Sequence, residues 1–229
     1  MHQRFSAASP GGHDLPTDVV TYGPDVARED TLKLLGNVDG KRILDLGCGA
    51  GHNAIALARH GAKVIGVDES SDQVADARAA SERERVKVEI HHAPLAELAF
   101  IRADTIDAVL SVWGLVPVED IDRVFRQVDR VLRPEHPLVV SMPHPAFTMV
   151  DTEDPEPRIR RAYWEPAPTD GIIPRTISSL FTSLGRANFR VDTVLEPQPP
   201  SGGPRSAAWH DHMRHVPATL IIRARKQGI

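Results

Sequence analysis

The chain has 229 residues, a net charge of −4, 41% hydrophobic residues and a single cysteine. That length suits one domain able to bury about 70% of its unfolded surface, and a lone cysteine excludes an internal disulfide. The charge balance provides no global positive field for nucleic acid, no apolar run approaches the roughly 20 residues of a membrane span, and no charged-then-apolar leader opens the chain, so a cytosolic location is expected.

Residues 1 to 16 hold Ser, Gly and Pro without periodicity and are expected to be mobile unless they close over a ligand. A helix is predicted from Asp25 to Leu35, then a strand over 41–46, a helix over 52–60 and a strand over 63–68. A helix over 72–84, a strand over 86–91 and a strand from Ile106 to Val112 follow. Ile121, Val124, Phe125, Val128 and Leu132 share one face of a helix from Glu119 to Leu132 that Pro134 ends, and Leu138 to Met142 is the fifth strand. Strands alternating with helices predict an α/β fold with a doubly wound, mostly parallel sheet.

The last third reads differently. Seven prolines between Pro143 and Pro174, with Tyr163 and Trp164, suit an irregular lid. Its Arg158, Arg160 and Arg161 face Asp151, Glu153, Asp154 and Glu156, which reads as a solvated mixed-charge loop. A helix over 177–187, a strand over 191–195, a second proline-glycine loop from Pro197 to Pro204 and a strand over 219–224 complete the chain. One domain over 1–229 is expected, with an N-terminal cap (1–35), a cofactor-binding core (36–142), a substrate lid loop (143–175) and a C-terminal helix and edge hairpin (176–229).

The most informative stretch is Ile43-Leu44-Asp45-Leu46-Gly47-Cys48-Gly49-Ala50-Gly51, an apolar strand that ends on an acidic residue and breaks into alternating glycines. A side chain at those glycines would block both the sharp turn and the approach of a ligand to the backbone. The next strand ends on Asp68, about 20 residues on, where a carboxylate reaches ribose hydroxyls. In the nicotinamide fingerprint G-x-G-x-x-G/A the sixth position is Gly or Ala, but here it is His52, and Asp45 sits two residues before the first glycine. A carboxylate beside the turn suits a ligand carrying an ammonium or sulfonium group better than a diphosphate.

From Asp45 to Asp68 the chain resembles motif I and the following acidic position of the class I S-adenosylmethionine-dependent methyltransferases, with the likeness extending over residues 41 to 142. The resemblance implies a Rossmann-like, seven-stranded sheet with an antiparallel last strand and S-adenosyl-L-methionine as cofactor. It also implies that the Gly47, Cys48, Gly49 and Gly51 backbone wraps the methionine portion, Asp45 supports its amino group and Asp68 binds the ribose. Asn53, Glu69 and Ser111 join this cofactor set. Asp68 as a helix cap is the alternative, since Ser70, Ser71 and Asp72 offer caps beside it. The Asp-Ala that the family carries after the third strand is absent. Adenine would therefore rest on Ala93, Pro94 and Leu95 or on His92.

For the acceptor, loops at the carboxyl ends of the strands are the expected location. His144, held between prolines directly after the fifth strand, is the leading general base, with an unperturbed pKa near 6.5; a histidine that merely caps the strand is the alternative. The cluster of His210, Asp211, His212 and His215 is the second candidate, and Trp113, Tyr163 and Trp164 join His210, Asp211 and His212 as candidate substrate contacts. Ser111-Val112-Trp113-Gly114 replaces the Asn/Asp/Ser-Pro-Pro-Tyr signature of many amino-group methyltransferases, which favours an oxygen acceptor. The expectation is methyl transfer to a hydroxyl of a small polar molecule, similar to actinobacterial sugar or natural-product O-methyltransferases. The alternatives are a nicotinamide-dependent reductase and a non-catalytic S-adenosylmethionine-binding module. No metal ligand set emerges from spacing, a divalent cation being kept as an option, and no partner macromolecule is expected beyond an optional homodimer.

Overall fold

The computed structural model describes residues 15–152, 154, 156, 158–165, 172–202, 205, 206 and 208–228. Glu153, residues 1–14 of the predicted cap, and residues 166–171 of the predicted lid therefore lie outside the described residues.

In chain order the elements are α1 (Glu29–Leu32), β1 (Arg42–Leu46), α2 (His52–Arg59), β2 (Lys63–Asp68), α3 (Ser71–Arg83), β3 (Val88–His92) and β4 (Ala108–Val112). Then come α4 (Ile121–Val131), β5 (Pro137–Pro143), α5 (Ile177–Arg186), β6 (Phe189–Leu195) and β7 (Thr219–Lys226). They build a seven-stranded sheet in the order β3-β2-β1-β4-β5-β7-β6. The first five strands are mutually parallel, and β7 runs antiparallel to both β5 and β6. The predicted doubly wound sheet and its antiparallel end are both present.

Burial on both faces explains why β1 is apolar from Ile43 on except at Asp45. Leu44 and Leu46 enter the cluster that contains Phe125 and Val128 of α4, whereas Ile43 enters the cluster on the other face with Ala54 and Leu57 of α2. Asp45 shares the parity of Ile43 and so belongs to the α2 face. The α4 stripe read from the sequence is the buried face, and Asp120 caps the helix by accepting from the Arg123 N–H at 2.9 Å.

One predicted element is corrected. The helix expected from Asp25 to Leu35 is the single turn Glu29–Leu32. Asp25 and Lys33 both take left-handed backbone angles, and the Glu29 carboxylate accepts from the N–H groups of Leu34, Leu35 and Gly36. The apolar spacing thus reflects a turn folded around a carboxylate, with Leu34 and Leu35 buried.

The described residues of the proline-rich segment are largely irregular and include several that are buried. Phe147–Met149 forms a 3₁₀ turn, Val150 bridges Ile159, and Phe147, Val150 and Ile172 are buried. At the other side of the sheet, Lys226 at the end of β7 donates to the Asp129 and Leu132 carbonyls at the end of α4, at 2.7 and 3.0 Å, and pairs with Asp104 at 2.7 Å. The ammonium therefore satisfies carbonyls that the helix leaves open. Lys226→Met should lower stability by about 1–3 kcal/mol, read as a lower urea midpoint at unchanged m-value; an unchanged midpoint would contradict this bracing role.

Candidate active site

The cleft begins where β1 stops. The N–H groups of Gly47 and Cys48 both donate to the Val67 carbonyl, at 2.8 and 3.0 Å, which bends the chain sharply across the end of β2. Gly47 has φ +75°, and a Cβ there would stand 2.4 Å from the Gly114 Cα. The turns after β1 and β4 therefore touch backbone to backbone, and Trp113 adopts φ +61° to enter that contact. Gly51 serves packing instead, since a Cβ there would meet Ala77 of α3 at 3.0 Å.

These turns enclose a cleft of about 410 Å³. From the sequence-derived cofactor set, Asp45, Gly47, Cys48, Gly49, Asn53, Asp68, Glu69 and Leu95 line it, together with Trp113. Gly51, Ala93, Pro94 and Ser111 do not. The Ser111 hydroxyl is buried and donates to the Leu46 carbonyl at 2.6 Å, so it fastens the two strand ends beneath the cleft. The Ala93 N–H donates to the Asp68 carbonyl at 3.1 Å, and Pro94 lies aside.

Carboxylates dominate the polar lining. Asp45 is 2% exposed, and its Oδ2 has no hydrogen-bond partner among the described residues. Burial first, and the charge of Asp68 second, push its carboxyl up to about 7, opposed by an N–H of Ala54. Asp68 accepts from the Gly49 N–H at 2.8 Å and the Ser70 N–H at 3.0 Å. The cap of α3 itself is Ser70, which accepts from Gln73. Each Asp68 oxygen retains a second lone pair that a hydroxyl can use. Glu69 accepts from the Leu95 N–H at 2.9 Å, so this backbone donor is already occupied. Burial and the neighbouring carboxylates raise the Cys48 thiol, which stays protonated.

Several lining residues escaped the sequence reading. Gln73 contributes a buried Oε1 without a partner among the described residues, and its position in the first turn of a helix starting beside Asp68 was a usable signal. Leu15 and Thr21 come from the segment before α1 and carried no local signal. His52, Val112, Gly114 and Pro117 complete the additions of interest.

The expected acceptor contacts fare differently. His144 is 4% exposed and does not line the cleft. Its Nδ1 accepts from the Ala146 N–H at 3.1 Å, so its Nε2–H donates to Glu196 at 2.8 Å. Both ring nitrogens are thereby engaged, Nδ1 within the loop after β5 and Nε2 in joining that loop to the end of β6, as in the strand-capping alternative. The His210 ring binds the Thr152 carbonyl at 2.9 Å and that of His212 the Asp154 carbonyl at 3.0 Å, pinning the loop before β7 to the segment after β5. Asp211 pairs with Arg214, and the Tyr163 hydroxyl accepts from the Ile177 N–H at 3.2 Å. Trp164 is 80% exposed and meets Tyr163 edge-on. Only Trp113 of the predicted substrate set lines the cleft.

This chemistry fits S-adenosylmethionine. The orphaned Asp45 oxygen suits an ammonium group, Asp68 has acceptor capacity for ribose hydroxyls, and a side chain at Gly47 would fill the turn. No cluster of three or more His, Cys, Asp or Glu with metal-binding geometry occurs among the described residues.

The raised Asp45 carboxyl predicts a pH signature of the ligand-free protein. An unfolded aspartate ionises near 3.8 whereas the folded one ionises near 7, so the native state holds the extra proton in between. Stability arising from Asp45 is therefore full at low pH and declines as pH rises from about 4 to about 7. Thermal melts of Asp45→Asn against the parent should show the variant gaining between pH 5 and pH 8; parallel curves would reject the raised carboxyl.

Residues 43–135 match the family described as "Methyltransferase domain". A solved S-adenosylmethionine-dependent methyltransferase from Mesorhizobium loti is 30% identical, with 84% of this chain and 94% of that one covered and a TM-score of 0.71. The ubiquinone biosynthesis O-methyltransferase of Bordetella avium is 35% identical over 102 residues, 44% of this chain and 42% of that protein, so the match spans less than half of that relative. A protein named O-methyltransferase rstn1 from Aspergillus nomiae is 29% identical over 64% of this chain and 69% of its own length. The glycine turn, the paired acidic strand ends, the sheet order and these likenesses agree: the chain belongs to the class I S-adenosylmethionine-dependent methyltransferases.

Proposed function

We propose that this methyltransferase acts on a hydroxyl group of a small molecule, and that the acceptor presents an apolar ring to the cleft. The observation that carries the second part is the lining itself, in which Leu15, Val112, Trp113 and Pro117 supply apolar surface beside the carboxylates. An aromatic wall of this kind favours flat, apolar surface over a hydroxyl-covered one. His210, Asp211 and His212, expected as substrate contacts, are engaged elsewhere: His210 and His212 hold backbone carbonyls, and Asp211 pairs with Arg214. The O-methyltransferase relatives and the absence of an Asn/Asp/Ser-Pro-Pro-Tyr stretch after β4 support an oxygen acceptor.

In this reading Asp45 takes the amino group of the methionine portion, which gives its buried Oδ2 a cationic partner. Asp68 accepts from the ribose hydroxyls through the lone pairs left by Gly49 and Ser70. When bound, S-adenosylmethionine supplies an electrophilic methyl carbon on a sulfonium leaving group. Trp113 and Pro117, which line the cleft, would exclude water from it and orient the acceptor, so the protein's contribution is alignment in a dry pocket. His144 braces β5 against β6. A phenol-like hydroxyl, ionising near 10, gives up its proton far more readily than a sugar hydroxyl and makes a modest demand on the protein for base catalysis.

Calorimetry with S-adenosylhomocysteine tests the cofactor assignments. Binding should tighten as pH rises from 5.5 to about 7 and level off above, because the Asp45 carboxyl must lose its proton to pair with the ammonium. Asp45→Asn should flatten that profile, and Asp68→Ala should weaken binding at least tenfold. Labelled methyl transfer across panels of phenols, sugars and amines then tests the acceptor. Transfer confined to amines or to sugars would overturn the proposal.

A further inference from the structure

Residues 17–22 run along α2 in the opposite direction. Asn53, the second residue of that helix, faces Thr21, whereas Arg59 and His60 at its far end hold the carbonyls of Thr17 at 3.3 Å and Asp18 at 2.7 Å. From Asn53 to Arg59 a helix advances about 9 Å, and four extended residues span about 13 Å, so the two runs are of comparable length. Ser141 of β5 donates to the Tyr22 carbonyl and secures the end of this strap on the sheet.

The Asn53 contact is of a particular kind. The Thr21 N–H donates to Asn53 Oδ1 at 2.9 Å, and Asn53 Nδ2 donates to the Thr21 carbonyl at 3.1 Å. A side-chain amide thus copies the two reciprocal bonds of an antiparallel strand pair, and both its oxygen and its nitrogen are engaged. Asn53 lies two residues beyond Gly51, where the glycine turn passes into the helix, and the strap sends Leu15 and Thr21 into the lining of the same cleft.

We propose that Asn53 is a positioning residue for the cofactor: its amide latches the strap across the cleft, so that Leu15 and Thr21 wall the bound ligand in. This replaces the direct cofactor contact expected of Asn53 from the sequence, and it rests on the S-adenosylmethionine reading of the site. The two shorter bonds of the latch go to the backbone of Thr21, and the Thr21 hydroxyl adds a longer one to the same Asn53 Oδ1 at 3.4 Å. Releasing the latch opens the cleft mouth and speeds ligand escape more than it slows entry.

Two measurements separate the latch from the site it closes. In the ligand-free protein, chymotrypsin should cut after Tyr22 at least tenfold faster in Asn53→Ala than in the parent, with the melting temperature of the rest little changed, because Ala suits the second position of a helix. Equal cutting rates overturn the latch whatever the cleft binds. With S-adenosylhomocysteine, Asn53→Ala should bind at least tenfold more weakly, with the loss carried by faster dissociation. Unchanged affinity, or a loss carried by slower association, would overturn the proposal. A parent protein that fails to bind S-adenosylhomocysteine but shows the difference in cutting would refute the cofactor reading and leave the latch standing.

Discussion

Everything that makes a cleft in this protein follows from two peptide turns in direct backbone contact. β1 and β4 are parallel neighbours, so the chain leaves both at the same edge of the sheet, and Gly47 and Gly114 meet there with no room for a side chain on either. The contact forces Trp113 into left-handed geometry and fixes its ring against the cleft. It also pulls the first turn down over β2, which brings the Gly49 N–H onto Asp68. Strain stored at such a point persists only where surrounding structure holds it, and here the Ser111 hydroxyl beneath and the Val67 carbonyl beside it do so.

The electrostatics are the second layer. Placing a carboxylate on the buried α2 face of the central strand is costly in the absence of a partner, and the shift of Asp45 to about 7 expresses that cost. Nearby Asp68 adds to it rather than relieving it. Such an arrangement makes sense for a pocket whose occupant brings the positive charge with it. The free protein carries the unfavourable carboxylate, and the ligand gains the interaction. Cys48, held protonated between the same carboxylates, contributes a small apolar body to the turn.

How far the sequence disclosed this depends on the distance over which each feature is determined. The sheet strands, the α4 stripe and the pairing of Asp45 with Asp68 are written in local periodicity and in a motif whose spacing is fixed by one strand-helix-strand unit. The short α1 was misread because its spacing mimics a helix, whereas the deciding contact is one Glu29 carboxylate reaching three backbone N–H groups. The acceptor side was less legible for a related reason. His144, His210 and His212 look reactive in sequence, but the partners that occupy their rings are 52 to 58 residues away. The strap was invisible for the same cause, since Thr21 and Asn53 are 32 residues apart and neither belongs to a pattern. Ser111 was placed near the correct region for a different purpose, fastening strands rather than touching a ligand.

The sheet order has a consequence for how the molecule is assembled. β7 comes after β6 in the chain, yet it is threaded between β5 and β6, pairing with both. During synthesis, therefore, β6 and α5 emerge with no strand beside which to settle, and the margin of β5, carrying Leu138, Val140 and Met142, stays open until residues 219–226 are made. An apolar, unpaired margin invites pairing with another chain. The nascent protein is thus exposed to aggregation for as long as its final strand is missing, and a shortened chain lacking that strand would keep the hazard permanently.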